Sequence, residues 1–234
     1  TLLNLITATL PKSEGSAKLL GEEASQATDS VFDQIGVCPQ VNALWDDLSV
    51  IDHLWIIGYM KGIEKSDIPT LIDYFLDALL LRPFAKTKAG DLPEGAKRML
   101  SVAISVFGAP RILFLEEPSK GQDSTLKRYL WKCIKGVMEG RNGAVIISST
   151  QLQEVKEISK KIGIIVNGRM SCIGNLPDLE KRLEKYIIRI RPNEDRRIDL
   201  GELAMSVLPK AEKVSSVEGN NAFFEVSQED MNFA

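Results

Sequence analysis

The stretch DLPEGAKRMLSVAISVFGAPRILFLEEPSKGQDS, residues 91–124, decides how the rest of the chain is read. Its first half carries Met99, Val102, Ala103 and Val106 at helical spacing. Pro93 and Glu94 suit the start of that helix, because a first turn leaves N–H groups unpaired and its positive dipole end favours a carboxylate. The second half changes period. Residues 112–115 are an unbroken apolar run ending at Glu116 and Glu117. Such a run predicts a parallel strand covered on both faces, with functional groups at its carboxyl edge.

Upstream, residues 35–37 form a short apolar strand ending at Pro39. Val50, Leu54 and Ile57 then predict a helix over about 50–61, with Ser49 as its N-cap. Leu71, Phe75, Ala78 and Leu79 repeat the period, so residues 50–108 are expected to be largely helical, with a loop rich in Lys and Gly between the last two helices. Leu2, Leu3 and Ile6 open a helix that Pro11 and Gly15 stop, and residues 16–22 read as a strand and turn. Downstream, a helix is expected over 124–138, a buried strand over 144–147, a helix over 152–158 and a third apolar strand over 162–166. This alternation predicts an α/β core with a parallel sheet. Asn167-Gly168 predicts a type I′ hairpin that makes the sheet mixed at that edge. The pattern restarts after Leu183, with strands expected over 186–191, 213–217 and 222–226 and a helix over 200–208. The expected division is a core over 1–184 and a small α/β domain over 185–234.

Composition narrows the function classes. At about 150 residues per domain, 234 residues hold one domain and part of another. Hydrophobic residues at 44%, charged residues at 26% and a mean hydropathy of −0.05 exclude a disordered chain. With 29 Lys and Arg against 32 Asp and Glu, a net of −3, and no basic block, no nucleic-acid partner is expected. Cys38, Cys133 and Cys172 are far apart and His53 stands alone, so neither a disulfide framework nor a zinc cluster is indicated. The thiols are expected to be small buried residues in a reducing, cytosol-facing compartment, and His53 an ordinary helix residue. No apolar stretch approaches the roughly 20 residues needed to cross a bilayer, so the chain itself is expected to be soluble. The opening TLLNLITATLP lacks an initiator Met and a basic flank, which argues against a signal peptide and reads as a chain entered partway.

Four segments, in order and spacing, resemble the nucleotide-binding domain of ATP-binding cassette transporters, most closely the A subfamily of lipid exporters. IGVCPQVNALWDDLSVIDHLWIIGYMKGI, residues 35–63, resembles the Q-loop and its following helix. Residues 91–124 resemble the signature motif, Walker B strand and D-loop. AVIISSTQLQEVKEISKKIGIIVNGRMSCIGN, residues 144–175, is similar to the switch strand, the helix behind it and a hairpin. TLLNLI resembles the helix that begins inside the Walker A loop, so Thr1 would sit at or just past that loop's last residues. The resemblance implies a P-loop NTPase-like core lacking its first strands and Walker A loop, a helical subdomain at 50–108 and a regulatory domain closed by VSQEDMNFA, residues 226–234.

By the same resemblance the activity is ATP hydrolysis coupled to lipid transport, with ATP and Mg as cofactors. A second cassette and the transporter's transmembrane domains are the implied partners, at the cytoplasmic face of a membrane. Glu117 falls at the general-base position, Gln40 and Glu116 at the magnesium positions, and Thr150 at the switch position. Pro93, Glu94 and Gly95 fall in the signature and Asp123 in the D-loop. Several positions depart from the family pattern. The Walker A glycines and Lys, whose backbone and ammonium cradle phosphates, are not in the sequence. Glu116 replaces an Asp and so displaces its carboxylate by a methylene. Pro93 has no hydroxyl or N–H to donate, and Glu94 puts a carboxylate near a docking phosphate, a repulsion of roughly 4 kcal/mol at about 4 Å and an effective dielectric near 20. Thr150 replaces a His and cannot carry charge near neutral pH. Weak nucleotide binding and no measurable turnover are therefore expected of the chain alone. Two readings stand: a cassette that energises transport, with its Walker A half upstream, and a degenerate cassette that pairs or supports without turnover. A plain α/β domain without nucleotide is a third.

Overall fold

The computed structural model describes residues 2–26, 28–140, 143–182, 185–190, 212–214 and 222–227. From the amino end come α1 (Leu2–Ile6), a hairpin of β1 (Lys18–Leu19) and β2 (Glu22–Glu23), α2 (Asp29–Phe32) and β3 (Ile35–Cys38). Then α3 (Val50–Met60) starts where expected, at a capping box. The Ser49 hydroxyl accepts the Asp52 N–H at 3.2 Å, and the Asp52 carboxylate accepts the Ser49 N–H at 3.0 Å. After it follow α4 (Ile68–Ala78), α5 (Glu94–Val106), β4 (Ile112–Glu116), α6 (Ser124–Met138), β5 (Ala144–Ser148) and α7 (Leu152–Ile158).

The sheet that positions the site has the order β3-β4-β5, all parallel, with Ile35 level with Ile112 and Ile112 with Ala144. Alternation along β4 explains its apolar run. Leu113 and Leu115 join the larger core with α3, α4, α5 and α6, while Phe114 joins Leu3, Leu19, Val31 and Ile35 on the opposite face. All three are fully buried, each contributing about 1.5–3 kcal/mol. Helix α5 lies so close to β3 that a Cβ on Gly36 would stand 1.9 Å from the Ser105 carbonyl oxygen. Only glycine permits that approach.

Two expectations about the later strands are corrected. The strand at 144–147 forms, but it is not buried: β5 is half-exposed, with Ile146 at 40%, because among the described residues β4 is its only ladder partner. The strand at 162–166 also forms, as β6 (Ile162–Val166), yet it is not part of the parallel sheet. Among the described residues it pairs antiparallel with β7 (Arg169–Gly174) alone, in a separate two-stranded sheet. The Asn167-Gly168 turn is of the expected kind, with φ of 49° and 76°, so the local signal was right and its attachment to the main sheet was not. Cys38 and Cys133 are buried as expected, while Cys172 on β7 is only half-buried.

The chain divides into two compact units, Thr1–Glu154 and Val155–Ala234. The second contains most of α7, the β6–β7 hairpin, α8 (Leu176–Arg182), and β8 (Lys185–Ile190), β9 (Glu212–Val214) and β10 (Ala222–Ser227). These last strands form an antiparallel sheet of order β8-β10-β9. The helix expected over 200–208 lies outside the described residues, as does Thr1.

Candidate functional site

In the parallel register Cys38 is level with Leu115, and Glu116 with Ser148. The loops leaving β3, β4 and β5 therefore start side by side at one edge, where open α/β sheets receive ligands. Gln40 stands two residues past β3, Glu117 one past β4 and Thr150 two past β5. The Gln40 backbone N–H donates to Glu116 Oε2 at 3.3 Å. The Glu117 N–H donates to the Ser148 carbonyl at 2.9 Å, and Glu117 has φ +47°. A left-handed conformation costs a non-glycine residue roughly 1–2 kcal/mol, a strain of the kind that collects at functional sites. Both carboxylates are half-buried, and Gln40 and Thr150 are exposed.

Two buried charged side chains brace this edge, and sequence reading missed both. Arg98, 5% exposed, reaches from α5 to both loops. Its Nη1 donates to the Pro39 carbonyl at 2.6 Å and Asn42 Oδ1 at 3.2 Å, its Nε to the Pro118 carbonyl at 3.3 Å, and its Nη2 to the Glu116 carbonyl. Ser101, on the same helix, donates to Asn42 Oδ1 at 3.1 Å. Glu154, 8% exposed on α7, accepts from Ser119 Oγ at 2.6 Å, Ser149 Oγ at 3.0 Å and Trp131 Nε1 at 3.0 Å. Helix α5 is buried nearly all round, so a charge within it must be hydrogen-bonded.

The signature residues lie apart from this cluster. Pro93 is the N-cap of α5 and makes no side-chain cap bond, and Glu94 opens the helix with its side chain 85% exposed, 3.7 Å from Lys97. Gln122 Nε2 donates to the Gly95 carbonyl at 3.2 Å, while Gln122 Oε1 is buried without a partner. Asp123 caps α6, its Oδ1 accepting the Leu126 N–H at 2.8 Å. Among the described residues no hydrogen bond joins Pro93, Glu94 or Gly95 to Gln40, Glu116 or Glu117. His53 is fully buried, accepting the Trp45 N–H on Nε2 at 3.0 Å with Nδ1 2.7 Å from the Ser49 carbonyl, a core role away from the site.

No group of three or more His, Cys, Asp or Glu that could hold a metal occurs among the described residues. The hard oxygens of Gln40 and Glu116 nevertheless fit magnesium, which binds through one or two protein oxygens and completes its octahedron with water and phosphate.

The family model described as ABC transporter matches residues 1–120. The chain belongs to the ABC transporter family. Among its relatives, ABC transporter A family member 4 of Arabidopsis thaliana is 31% identical over 237 residues, covering 100% of this chain and 25% of its own length. A family member 9 of the same plant is 33% identical over 226 residues, covering 95% and 24%. The chain thus spans about a quarter of the length of these transporters. The structure of an ATP-binding subunit of an ABC transporter superposes with a TM-score of 0.72 at 16% identity, over 88% of this chain and 81% of that one. A dimeric ATP-binding cassette in a post-hydrolysis state, bound to ADP and Pi, superposes at 0.67 and 17% identity, over 75% and 79%. This likeness shows the fold, a P-loop NTPase-like ABC cassette with a parallel sheet. Among the described residues of this ABC family member, no helix is long and apolar enough to cross a membrane.

Proposed function

We propose that the chain is an ATP-binding cassette of an A-family transporter that couples ATP binding and hydrolysis to lipid transport, with turnover impaired at its own residues. The cassette would cover 1–184, with a regulatory domain over 185–234. It would work at the cytoplasmic face of a membrane with a second cassette and the transporter's transmembrane domains. The observation that carries this reading is the carboxyl edge itself, where the Gln40 N–H meets Glu116 and Glu117 is held left-handed beside the end of β5.

Gln40 and Glu116 would hold magnesium, which when bound neutralises charge on the phosphate oxygens. Glu117 would orient a water and take its proton, and Thr150 would donate one hydrogen bond. The exposed Glu94 carboxylate at the start of α5 and the absence of a donor on Pro93 support impairment. The same two residues favour the second reading, a cassette that pairs without turnover. Titration of ATP with magnesium against the purified chain tests the proposal, with weak binding and no measurable turnover expected. Magnesium-dependent turnover that vanishes in Glu117→Gln would overturn the impairment. No magnesium-dependent nucleotide binding, even beside a competent second cassette, would leave only the pairing role.

A further inference from the structure

We propose that Arg98 is the positioning residue of this site: it fixes the Gln40 loop against the end of β4 and fastens both to the helix that opens at Pro93. The inference rests on reading Gln40 and Glu116 as magnesium-holding residues, and its geometry stands independently of that reading.

The guanidinium works as a fork. One arm holds Pro39 and Asn42, with the Gln40 carbonyl at 3.5 Å, and the other arm and Nε hold the carbonyls of Glu116 and Pro118. Gln40 thus lies between two held residues, Pro39 and Asn42, and Glu116 is held at its own main chain. The partners are carbonyl and amide oxygens, not a carboxylate, so among the described residues Arg98 forms no ion pair. Burying a charge beside Met99 and Leu100 on such terms costs more than an apolar residue of similar length would, and a plain packing role gives no reason for it. Ser101 adds a second tie to Asn42 from one turn further along α5. Gln122 ties the first turn of α5 to the loop before Asp123. Helix α5 therefore grips the β3 exit, the β4 exit and the D-loop at once. A lysine, with one compact ammonium, cannot span two loops as a planar five-donor group does.

Amide hydrogen exchange on the full chain, resolved by residue, tests the proposal. In the unmutated chain under rising urea, Gln40, Glu117 and residues 99–102 should open together; separate opening of Gln40 and Glu117 from the helix overturns the proposal. In Arg98→Gln and Arg98→Lys, exchange at Gln40, Trp45 and Glu117 should rise about tenfold or more beyond any rise in α4, with lysine rescuing no better than glutamine. A uniform rise across the whole unit, or full rescue by lysine, makes Arg98 a packing residue and overturns the proposal. ADP affinity with and without magnesium on the same variants separates this claim from the one beneath it. A smaller magnesium effect supports both. Released exchange with an unchanged magnesium effect supports the positioning role and overturns the assignment of Gln40 and Glu116.

Discussion

The two ends of the carboxyl edge are held by opposite chemistry. At the Gln40 end a buried cation donates mainly to main-chain carbonyls of Pro39, Glu116 and Pro118. At the Thr150 end a buried carboxylate accepts from the side chains of Ser119, Ser149 and Trp131. Carbonyls belong to every residue, so the first fastening depends chiefly on Arg98 and a backbone path, with Asn42 as its one side-chain acceptor. The second depends on four side chains that substitution can remove together. A buried polar network is most costly when partly satisfied, so the two ends should differ in how damage to them can be repaired.

The largest effect is expected at the first end. Arg98→Met should lower unfolding free energy by about 3 kcal/mol or more, because several carbonyls lose a charged donor at once, and no second substitution should restore it. Urea denaturation of the single variant, and of the same variant combined with Asn42→Ala, checks this. Glu154→Leu should cost about 2 kcal/mol, and adding Ser119→Ala with Ser149→Ala should recover about half, since hydroxyls deprived of an acceptor are then gone. Equal repair at both ends would abolish the distinction.

Strand β3 ends in a buried thiol at this edge, Cys38, and α6 carries another in the larger core, Cys133. Burial pushes Cys38 up to about 11, with the Arg98 charge pulling the other way and Glu116 adding to the rise. Burial alone pushes Cys133 up to about 12. A thiol whose folded pKa is raised contributes stability that is complete below its unfolded value of 9.0 and is lost as pH climbs toward 11 and 12. Stability measured by urea should therefore fall through that alkaline window, and less so in Cys38→Ala and Cys133→Ala. The smallest effect sharpens the comparison: Arg98→Lys, by moving the cation, should raise the Cys38 titration and leave Cys133 unchanged, as read by thiolate absorbance.

What the sequence made legible was local. Ser49 caps α3 as expected, with Asp52 closing the box from three residues on, and the 112–115 run became the central strand because both of its faces are covered. The same apolar signal at 144–147 and 162–166 named strands correctly and misjudged their surroundings, since a run of Val and Ile says nothing of what will lie against it. Arg98 meets carbonyls 18, 20 and 59 residues away, and a carbonyl leaves no mark in a sequence. Glu154 finds Ser119 at a separation of 35, too far apart in sequence for any local pattern to pair them. The motif positions were readable by resemblance, and the braces beneath them were not.

The chain has one histidine, and both of its ring nitrogens are engaged. Because Nε2 accepts from Trp45, the proton sits on Nδ1, facing the Ser49 carbonyl. A proton NMR spectrum of the unlabelled chain should thus contain a lone imidazole N–H resonance, shielded from exchange by complete burial and assigned without a single mutation. Its disappearance under mild heating would time the fraying of the first turn of α3, giving a built-in clock for the loop that runs from Gln40 to Ser49.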